Sequence, residues 1–339
     1  MTIVSHSQQG QWNHDAIRIS IALCTYNGAP YLREQLDSLL AQTHANFEIV
    51  AVDDCSVDET VMILKEYSLR DARIKIHVNA VNLGVKNNFT SAFERCTGDY
   101  IAPCDQDDIW EPNKLALLLE TIASHSLAYC DSALMNESGR LTGKSASDLV
   151  TMVSGTDSVK FLFGNCVSGH AMLFKREILD VAMPIPDEFF HDWWLVAVAA
   201  SLKGVVYCPL SLVRYRQHGR NITNMPRDRI QLQCEKLPGC RTRSLHEYQR
   251  RIGLLAKLPR ADNAFLMKLQ TLWHARESQY FSFRLAWLIW QNGSRLYATD
   301  KRLSCSFLLR KAFNYFLGVK LKRIFNRDAY TPPSKFSTA

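Results

Sequence analysis

Six carboxylates fall in two short clusters, Asp53, Asp54 and Asp58 in the first and Asp105, Asp107 and Asp108 in the second. Each cluster follows a short apolar run. Carboxylates packed this closely repel one another unless something cationic sits among them, and oxygen ligands of this kind suit Mg²⁺ or Mn²⁺. Mg²⁺ usually takes one or two protein carboxylates and completes its shell with substrate phosphates, so the pattern points to a phosphorylated, nucleotide-like ligand. Asp105 and Asp107 are one residue apart and project to the same side of an extended segment. The simpler role for some of these residues is helix capping, open to Asp58 and Asp108. The chain has no G-x-x-x-x-G-K-[ST] run and no G-x-G-x-x-G after its first strand. Phosphates must then be held by a metal and side chains instead of a glycine-rich loop, which argues against kinase and dehydrogenase chemistry.

These clusters sit where an alternating α/β pattern would place them. Arg18 to Cys24, Phe47 to Val52, Ile74 to Val78 and Asp99 to Ala102 read as short buried strands. Between them lie helix-period segments opened by Pro30, capped by Asp58, running from Asn87 to Phe93, and opened by Pro112. That rhythm predicts a mainly parallel sheet with helices on both faces. Ligands of such sheets bind beyond the carboxyl ends of the strands. There the sequence has Thr25-Tyr26-Asn27-Gly28, Asp53-Asp54, Asn79 to Lys86, and Asp105 to Asp108. Further on, Ala128 to Met135, Gly169 to Phe174 and Val205 to Arg216 read as strands and Asp192 to Leu202 as an apolar helix. Gln217 to Asp228 reads as a polar loop. Helix-period patterns then cover Leu245 to Leu258, Ala264 to Ser278, Phe283 to Tyr297 and Phe307 to Phe325. The expected division is a leader at 1–14, an α/β ligand-binding domain at 15–225, a helical region at 226–327, and a tail at 328–339.

The runs TYNG, LLAQTH, IVAVDDCSVDET, NLGVKNNF and GDYIAPCDQDDIW, followed by SGHAMLFKREIL, FHDWWL and YRQHGRNIT, together resemble family 2 glycosyltransferases of the GT-A fold. They look most like the bacterial rhamnosyltransferase-type branch. The resemblance spans roughly residues 17 to 224 in the expected order. It implies a Rossmann-like sheet, mixed but mainly parallel, with a C-terminal helical extension. It also implies inverting, metal-dependent transfer of a sugar from a nucleotide diphosphate donor, with Mg²⁺ or Mn²⁺ as cofactor. Carried over position by position, Thr25, Tyr26 and Asn27 would lie beside the nucleobase and Asp53 or Asp54 would hydrogen-bond it. Asn82, Gly84 and Lys86 match the segment that closes the donor pocket. Asp105 and Asp107 stand where the family's DxD motif stands, Asp105 facing the ribose or metal and Asp107 the metal. Asp192 matches the acidic position of the catalytic base.

Chemistry supports these roles independently. In an inverting transfer the acceptor hydroxyl must lose its proton to a base, which a carboxylate can serve as. The diphosphate leaves with growing negative charge, which a divalent metal stabilises. Asp192 lies far along the chain from the acidic pair and opens an apolar helix, so it can also be a simple N-cap. Trp193 and Trp194 read either as an acceptor-binding wall or as core. His218 reads as a third metal ligand or as a structural histidine. Arg214, Arg216 and Arg220 read as counter-charges for the diphosphate or as solvated loop.

Composition narrows the rest. The chain has 339 residues, 47% apolar and 22% charged, which excludes disorder and fibrous classes and allows one or two domains. Its ten cysteines form no C-x-x-C and no zinc-binding spacing, which reads as scattered thiols in a reducing compartment. The polar N-terminus and the absence of an apolar run near ~20 residues predict a cytoplasmic protein. Net charge is +7, yet Lys301 to Arg327 alone holds eight basic and no acidic residues, leaving the remainder at −1. Within that span Phe313, Phe316, Leu317, Leu321 and Phe325 recur at helical spacing between Lys and Arg. That pattern fits contact with the inner face of an anionic membrane, where a polyprenyl-linked saccharide acceptor would sit, or a helix packed on the catalytic domain. Nothing in the sequence reads as a nucleic-acid-binding module. The branch resemblance implies dTDP-L-rhamnose as donor and O-antigen or capsule synthesis as the role. A UDP-linked galactose, glucose or N-acetylhexosamine donor, a catalytically inactive membrane scaffold, and a sugar-nucleotidyltransferase are the alternatives.

Overall fold

The computed structural model describes residues 16–219, 221 and 240–321. The leader, Arg220, the domain boundary near 225, Lys322, Arg323, Phe325, Arg327 and the tail fall outside the described residues. The sheet begins with β1 (Ile19–Thr25), β2 (Phe47–Asp53), β3 (Ile74–Val78) and β4 (Tyr100–Cys104). These strands pair in parallel in the order β3-β2-β1-β4. β1 and β2 are buried along their whole length, as expected for parallel strands covered on both faces, which is why they read as unbroken apolar runs. The connecting helices are α1 (Ala29–Leu40), α2 (Thr60–Arg70) and α3 (Val85–Arg95).

The order reverses at β1, with β2 on one side and β4 on the other. That gap between diverging crossovers is where open α/β sheets hold ligands. Beyond β4 the sheet turns mixed. β5 (Ile109–Trp110), α4 (Lys114–Ile122), β6 (Leu127–Asn136), β7 (Leu141–Ser145), β8 (Met172–Lys175) and β9 (Val205–Gln217) follow, with two one-turn helices, α5 (Ala146–Leu149) and α6 (Leu179–Ala182), and the longer α7 (His191–Ser201). β8 runs antiparallel to both β4 and β6, while β6 and β9 pair in parallel. The expected strand from Gly169 starts only at Met172, because Gly169–Ala171 forms a 3₁₀ turn.

Two apolar layers sandwich the sheet. One collects α1, α2 and α4 side chains such as Leu36, Leu64 and Leu118. The other collects Phe89, Phe93 and the apolar face of α7, together with Ile252, Leu266, Trp273, Leu285 and Phe307 from the C-terminal helices. Those helices are α8 (Cys240–Leu255), α9 (Asn263–Ala275), α10 (Phe283–Gln291), α11 (Gly293–Leu296) and α12 (Cys305–Phe316). They therefore share the core of the sheet domain instead of forming a second one. Arg295 locks the join by pairing both oxygens of Asp157 at 2.6 and 2.9 Å.

Two helix expectations need correction. The segment 283–297 breaks at Asn292 into α10 and α11. The helix read over Phe307 to Phe325 ends at Phe316, because the residues just beyond it pair with the 279–282 segment: Ser282 N–H donates to Phe316 O and Gly318 N–H to Tyr280 O. A Cβ on Gly318 would lie 1.9 Å from Gln279 O, so only glycine allows this approach.

Candidate active site

The loops at the carboxyl ends of β1 to β4 converge as the sequence predicts, and buried hydrogen bonds tie them together. Asp53 is fully buried and accepts from the Thr25 hydroxyl (2.8 Å), Ser56 N–H (2.8 Å) and the Ser56 hydroxyl (2.6 Å). Asp54, also buried, accepts from Asn79 Nδ2 (2.9 Å), Leu83 N–H (2.8 Å) and Gly84 N–H (2.8 Å). Thr25 is buried beside Asp53 in the same network. All three shape the loops from within. Asp58 does act as a cap, accepting from Thr60 N–H (3.0 Å) in α2 and Ala29 N–H (3.2 Å) in α1.

Tyr26 faces outward, at 48% exposed. Asn27 takes a positive φ of 48° and accepts from Val57 N–H (2.9 Å), a conformation asparagine tolerates. Gln106 joins the β1 and β4 loops, accepting from Tyr26 N–H (2.8 Å) and donating to Tyr26 O (3.0 Å). Sequence reading passed over this residue because an isolated glutamine carries no signal until its neighbour across the switch point is known. Asn82 is exposed and accepts from Gly84 N–H (3.1 Å). Lys86 pairs with Asp187, which ties α3 to the loop leading into α7.

The acidic run after β4 separates into an open and a buried side. The Asp105 side chain is 42% exposed. Asp107 is buried and its Oδ2 stands 2.8 Å from His218 Nε2, so two residues read as metal ligands and 111 positions apart in sequence meet here. Asp108 is no helix cap, which corrects that reading. It is fully buried, accepts Arg216 N–H on Oδ1 (3.0 Å), and leaves Oδ2 without a hydrogen-bond partner. His170, which the sequence did not single out, fills the space behind. Its Nδ1 lies 3.5 Å from Asp105 Oδ2 and 3.4 Å from Asp108 Oδ2, and its Nε2 lies 3.1 Å from the Ser132 hydroxyl. Its carbonyl accepts from the buried Lys114 ammonium at 2.6 Å.

The charges of this cluster are mutually adjusted. Burial raises the Asp108 carboxyl to about 7, aided by Asp107 and Asp105. Burial and then Asp105 raise Asp107. Burial alone would strip the proton from His170, but Asp108 and Asp105 hold it on and shift it upward. Burial works against the Asp105 carboxylate too, yet the His170 hydrogen bond and charge bring it below the usual range. Burial brings Lys114 down to about 7. Three carboxylates, two imidazoles and an orphaned buried oxygen make a donor set that fits Mg²⁺ or Mn²⁺. Among the described residues, ligand atoms of Asp105, Asp108 and His170 lie within 4.8 Å of one another.

Arg216 closes the back of the loop. Buried in the protein, it donates from Nε to Asp107 O (2.9 Å), from Nη1 to Glu137 O (3.0 Å) and from Nη2 to Glu34 (2.5 Å), and its guanidinium lies over the Tyr31 ring. It is a clamp and not a solvated counter-charge. Arg214 pairs with Glu111 at 2.8 Å.

Asp192 opens α7 and is partly exposed, with Oδ1 accepting Trp193 N–H at 2.6 Å. A Cβ on Gly169 would stand 3.8 Å from Asp192 Cβ. The Gly169–His170 turn thus has Asp192 against one residue and Asp105 against the next. His191 is buried, stacks on Phe89 at 3.9 Å, and has neither ring nitrogen hydrogen-bonded; burial pushes its pKa down. Of the two tryptophans read either as acceptor wall or as core, Trp194 is 4% exposed and donates to Ala182 O at 2.8 Å. Trp193 is half-buried, donates to Phe161 O at 2.5 Å and carries the Arg251 guanidinium 4.3 Å from its ring centre.

With this geometry in hand, the chain was compared with known proteins. Residues 20–182 match the model of Glycosyl transferase family 2. An uncharacterized glycosyltransferase of Nostoc sp. is 29% identical over 218 residues, which span 60% of this chain and 66% of that relative, just under two thirds of its length. S. aureus TarS 1-349 in complex with UDP-GlcNAc superposes with a TM-score of 0.54 at 15% identity, covering 93% of both chains. The mannosyltransferase PcManGT from Pyrobaculum calidifontis, in complex with GDP-Man and Mn²⁺, superposes with a TM-score of 0.52 at 16% identity, covering 94% of this chain and 77% of that one. Identities this low speak for the fold alone, and that fold is the α/β arrangement of GT-A glycosyltransferases. The match to the Glycosyl transferase family 2 model thus runs over residues 20–182, from β1 to α6, and the chain is similar to that family there.

Proposed function

We propose that the protein is an inverting, divalent-metal-dependent glycosyltransferase that moves a sugar from a nucleotide diphosphate donor to a saccharide or lipid-linked saccharide. The observation that carries this is the placement of Asp105, Asp107 and His218 at the β1/β4 switch point, with Asp192 across the Gly169–His170 turn. In this reading the exposed Tyr26 ring stacks on the base, held at its height by Gln106. Asn82 to Lys86 borders the donor through the Asp54 anchor and the Lys86–Asp187 pair. Asp107 and His218, with Asp105 on the open side, hold the cation. When bound, that cation draws off the charge growing on the leaving diphosphate. Asp192 takes the acceptor proton on Oδ2, its Oδ1 being engaged by Trp193 N–H. Protonated His170 and Lys114 offset the carboxylates from behind.

A second ligand set, Asp105, Asp108 and His170, is favoured by the compactness of those three atoms. It lies deeper, with Asp108 and His170 sealed from the cleft. The rhamnosyltransferase-like motif set supports dTDP-L-rhamnose as donor and surface-polysaccharide assembly as role, and a UDP-hexose is the competing donor. The test is a thermal-shift panel with dTDP, UDP, GDP and CDP, each with and without Mn²⁺ or Mg²⁺. A ligand at a hundred times its dissociation constant stabilises the fold by about 2.7 kcal/mol. We expect a metal-dependent shift with one nucleotide, lost in Asp107→Ala and kept in His170→Gln. Loss in His170→Gln alone would move the cation to the deeper set. No shift with any nucleotide would overturn the transferase reading in favour of an inactive scaffold.

A further inference from the structure

Far along the chain from the acidic loops, α10, the segment before it and α12 expose a continuous apolar face. Phe281, Phe283, Trp287, Leu309 and Phe313 are each 47–67% exposed. They are not scattered. Phe283 meets Phe316 edge-on at 4.8 Å, Phe281 lies 5.3 Å from Phe316, and Phe313 stacks on Phe316 at 5.9 Å. Trp287 stands one helical turn from Phe283, and Leu309 one turn from Phe313, so two stripes run side by side on packed helices. The opposite faces of the same helices are already buried through Leu285, Leu288, Phe307 and Ala312. The exposed rings therefore do not serve the fold, and a contiguous apolar patch of this kind marks an interaction surface.

The sequence that carries it is mainly basic. From Ser278 to Leu321 the sequence has seven basic residues and one acidic residue, Asp300. Asp300 is engaged by Arg302, which bonds both of its oxygens at 2.9–3.0 Å. Arg284 follows Phe283 and Arg310 follows Leu309, and both are exposed. Lys320 stands with its ammonium 5.6 Å from the ring of exposed Tyr280.

We infer that this face docks on an anionic lipid bilayer. Aromatic side chains settle at the level of the headgroups, and the surrounding Arg and Lys meet acidic lipids. The charge pattern disfavours a second copy of the chain, since a two-fold contact would set the same basic residues against each other. The feature differs from a simple basic amphipathic helix, because it is assembled from two separate helices, α10 and α12, and the segment before α10. It complements the proposed function, in which a lipid-linked acceptor would lie at such a surface, but does not depend on turnover.

The test is co-sedimentation of the full chain with vesicles of phosphatidylglycerol and phosphatidylcholine, against vesicles of phosphatidylcholine alone, at low and high salt. We expect binding to the acidic vesicles, weakened by about tenfold or more in high salt or on neutral lipid. Phe283→Glu with Phe313→Glu should reduce binding about a hundredfold. Arg284→Gln with Arg310→Gln and Lys320→Gln should remove the preference for acidic lipid while leaving the rings in place. All five positions are exposed, and the melting temperature and the nucleotide-induced shift should stay unchanged, so failure here is separable from failure of the transferase reading. Absence of vesicle binding, equal binding to neutral vesicles, or undiminished binding by the Phe variant would each overturn the inference. A dimer seen by light scattering and abolished by the Phe variant, without vesicle binding, would overturn it by naming a second copy as the occupant.

Discussion

Replacing the buried Arg216 with Met should destabilise the protein, and the size follows from its contacts. The guanidinium donates to two backbone carbonyls, Asp107 O and Glu137 O. Hydrogen bonds from charged donors contribute about 1.5–3 kcal/mol each. Its bond to Glu34 adds no more than about 1 kcal/mol, because Glu34 is 59% exposed and solvent screens the pair. Its position 4.9 Å from the Tyr31 ring centre adds about 0.5–2 kcal/mol. Methionine refills much of the volume, so the expected net loss is about 3–5 kcal/mol. At about 2.1 cal/mol/K of unfolding entropy per residue, a chain of 339 residues shifts by about 1.4 °C per kcal/mol, so the melting midpoint should fall by about 4–7 °C. Arg216→Lys should recover only part of this, since an ammonium cannot span both carbonyls and Glu34. The assay is thermal unfolding by circular dichroism, with the nucleotide- and metal-induced shift measured in parallel. Because the clamp holds Asp107 by its own carbonyl, that shift should shrink more in Arg216→Met than the stability loss alone explains. An Arg216→Met protein within about 1 kcal/mol of wild type, with an unchanged ligand shift, would refute the reasoning.

Other consequences are equally direct. Asp192→Asn should lower transfer by about 10²–10⁴-fold while leaving the nucleotide-induced melting shift intact, and equal loss of both would show that Asp192 is only a cap. Gln106→Ala removes both bonds to the Tyr26 backbone and should weaken nucleotide affinity by about tenfold in a titration. Glu48 is buried, and although burial opposes its charge, Lys75, Ser20 and Thr97 bring it to about 2 from an ordinary 4.5. Its contribution of about 3 kcal/mol is present above pH 4.5 and is lost as pH falls toward 2, so Glu48→Gln should flatten the acid limb of a stability–pH curve.

The agreement between sequence and structure is closest where a short local pattern carries the whole physical argument. The apolar runs of β1, β2 and β4, Pro30 inside the first turn of α1, and the acidic loops after the strands were all legible. A parallel strand buried on both faces must be continuously apolar, and a carboxylate cluster must lie where water or a cation can reach it. The sequence singled out Asp107 and His218, which meet in the structure. It did not show the internal loop contacts of Asp53 and Asp54. A carboxylate that contacts a ligand and one that anchors a loop look alike in sequence and differ only in where three N–H or O–H donors arrive.

The sequence by itself determined the strand–helix alternation, the acidic edge of the sheet and the basic character of the C-terminal third, because each follows from residue type and spacing. Only the tertiary structure decided that His170 and Lys114 back the carboxylates, that Arg216 is a buried clamp, that Trp194 is core, and that the exposed aromatic face draws on both α10 and α12. Each of these depends on groups tens of residues apart meeting within a few ångströms. Such contacts are set by how the sheet order reverses at β1 and how the helices pack, and no window along the chain contains both partners.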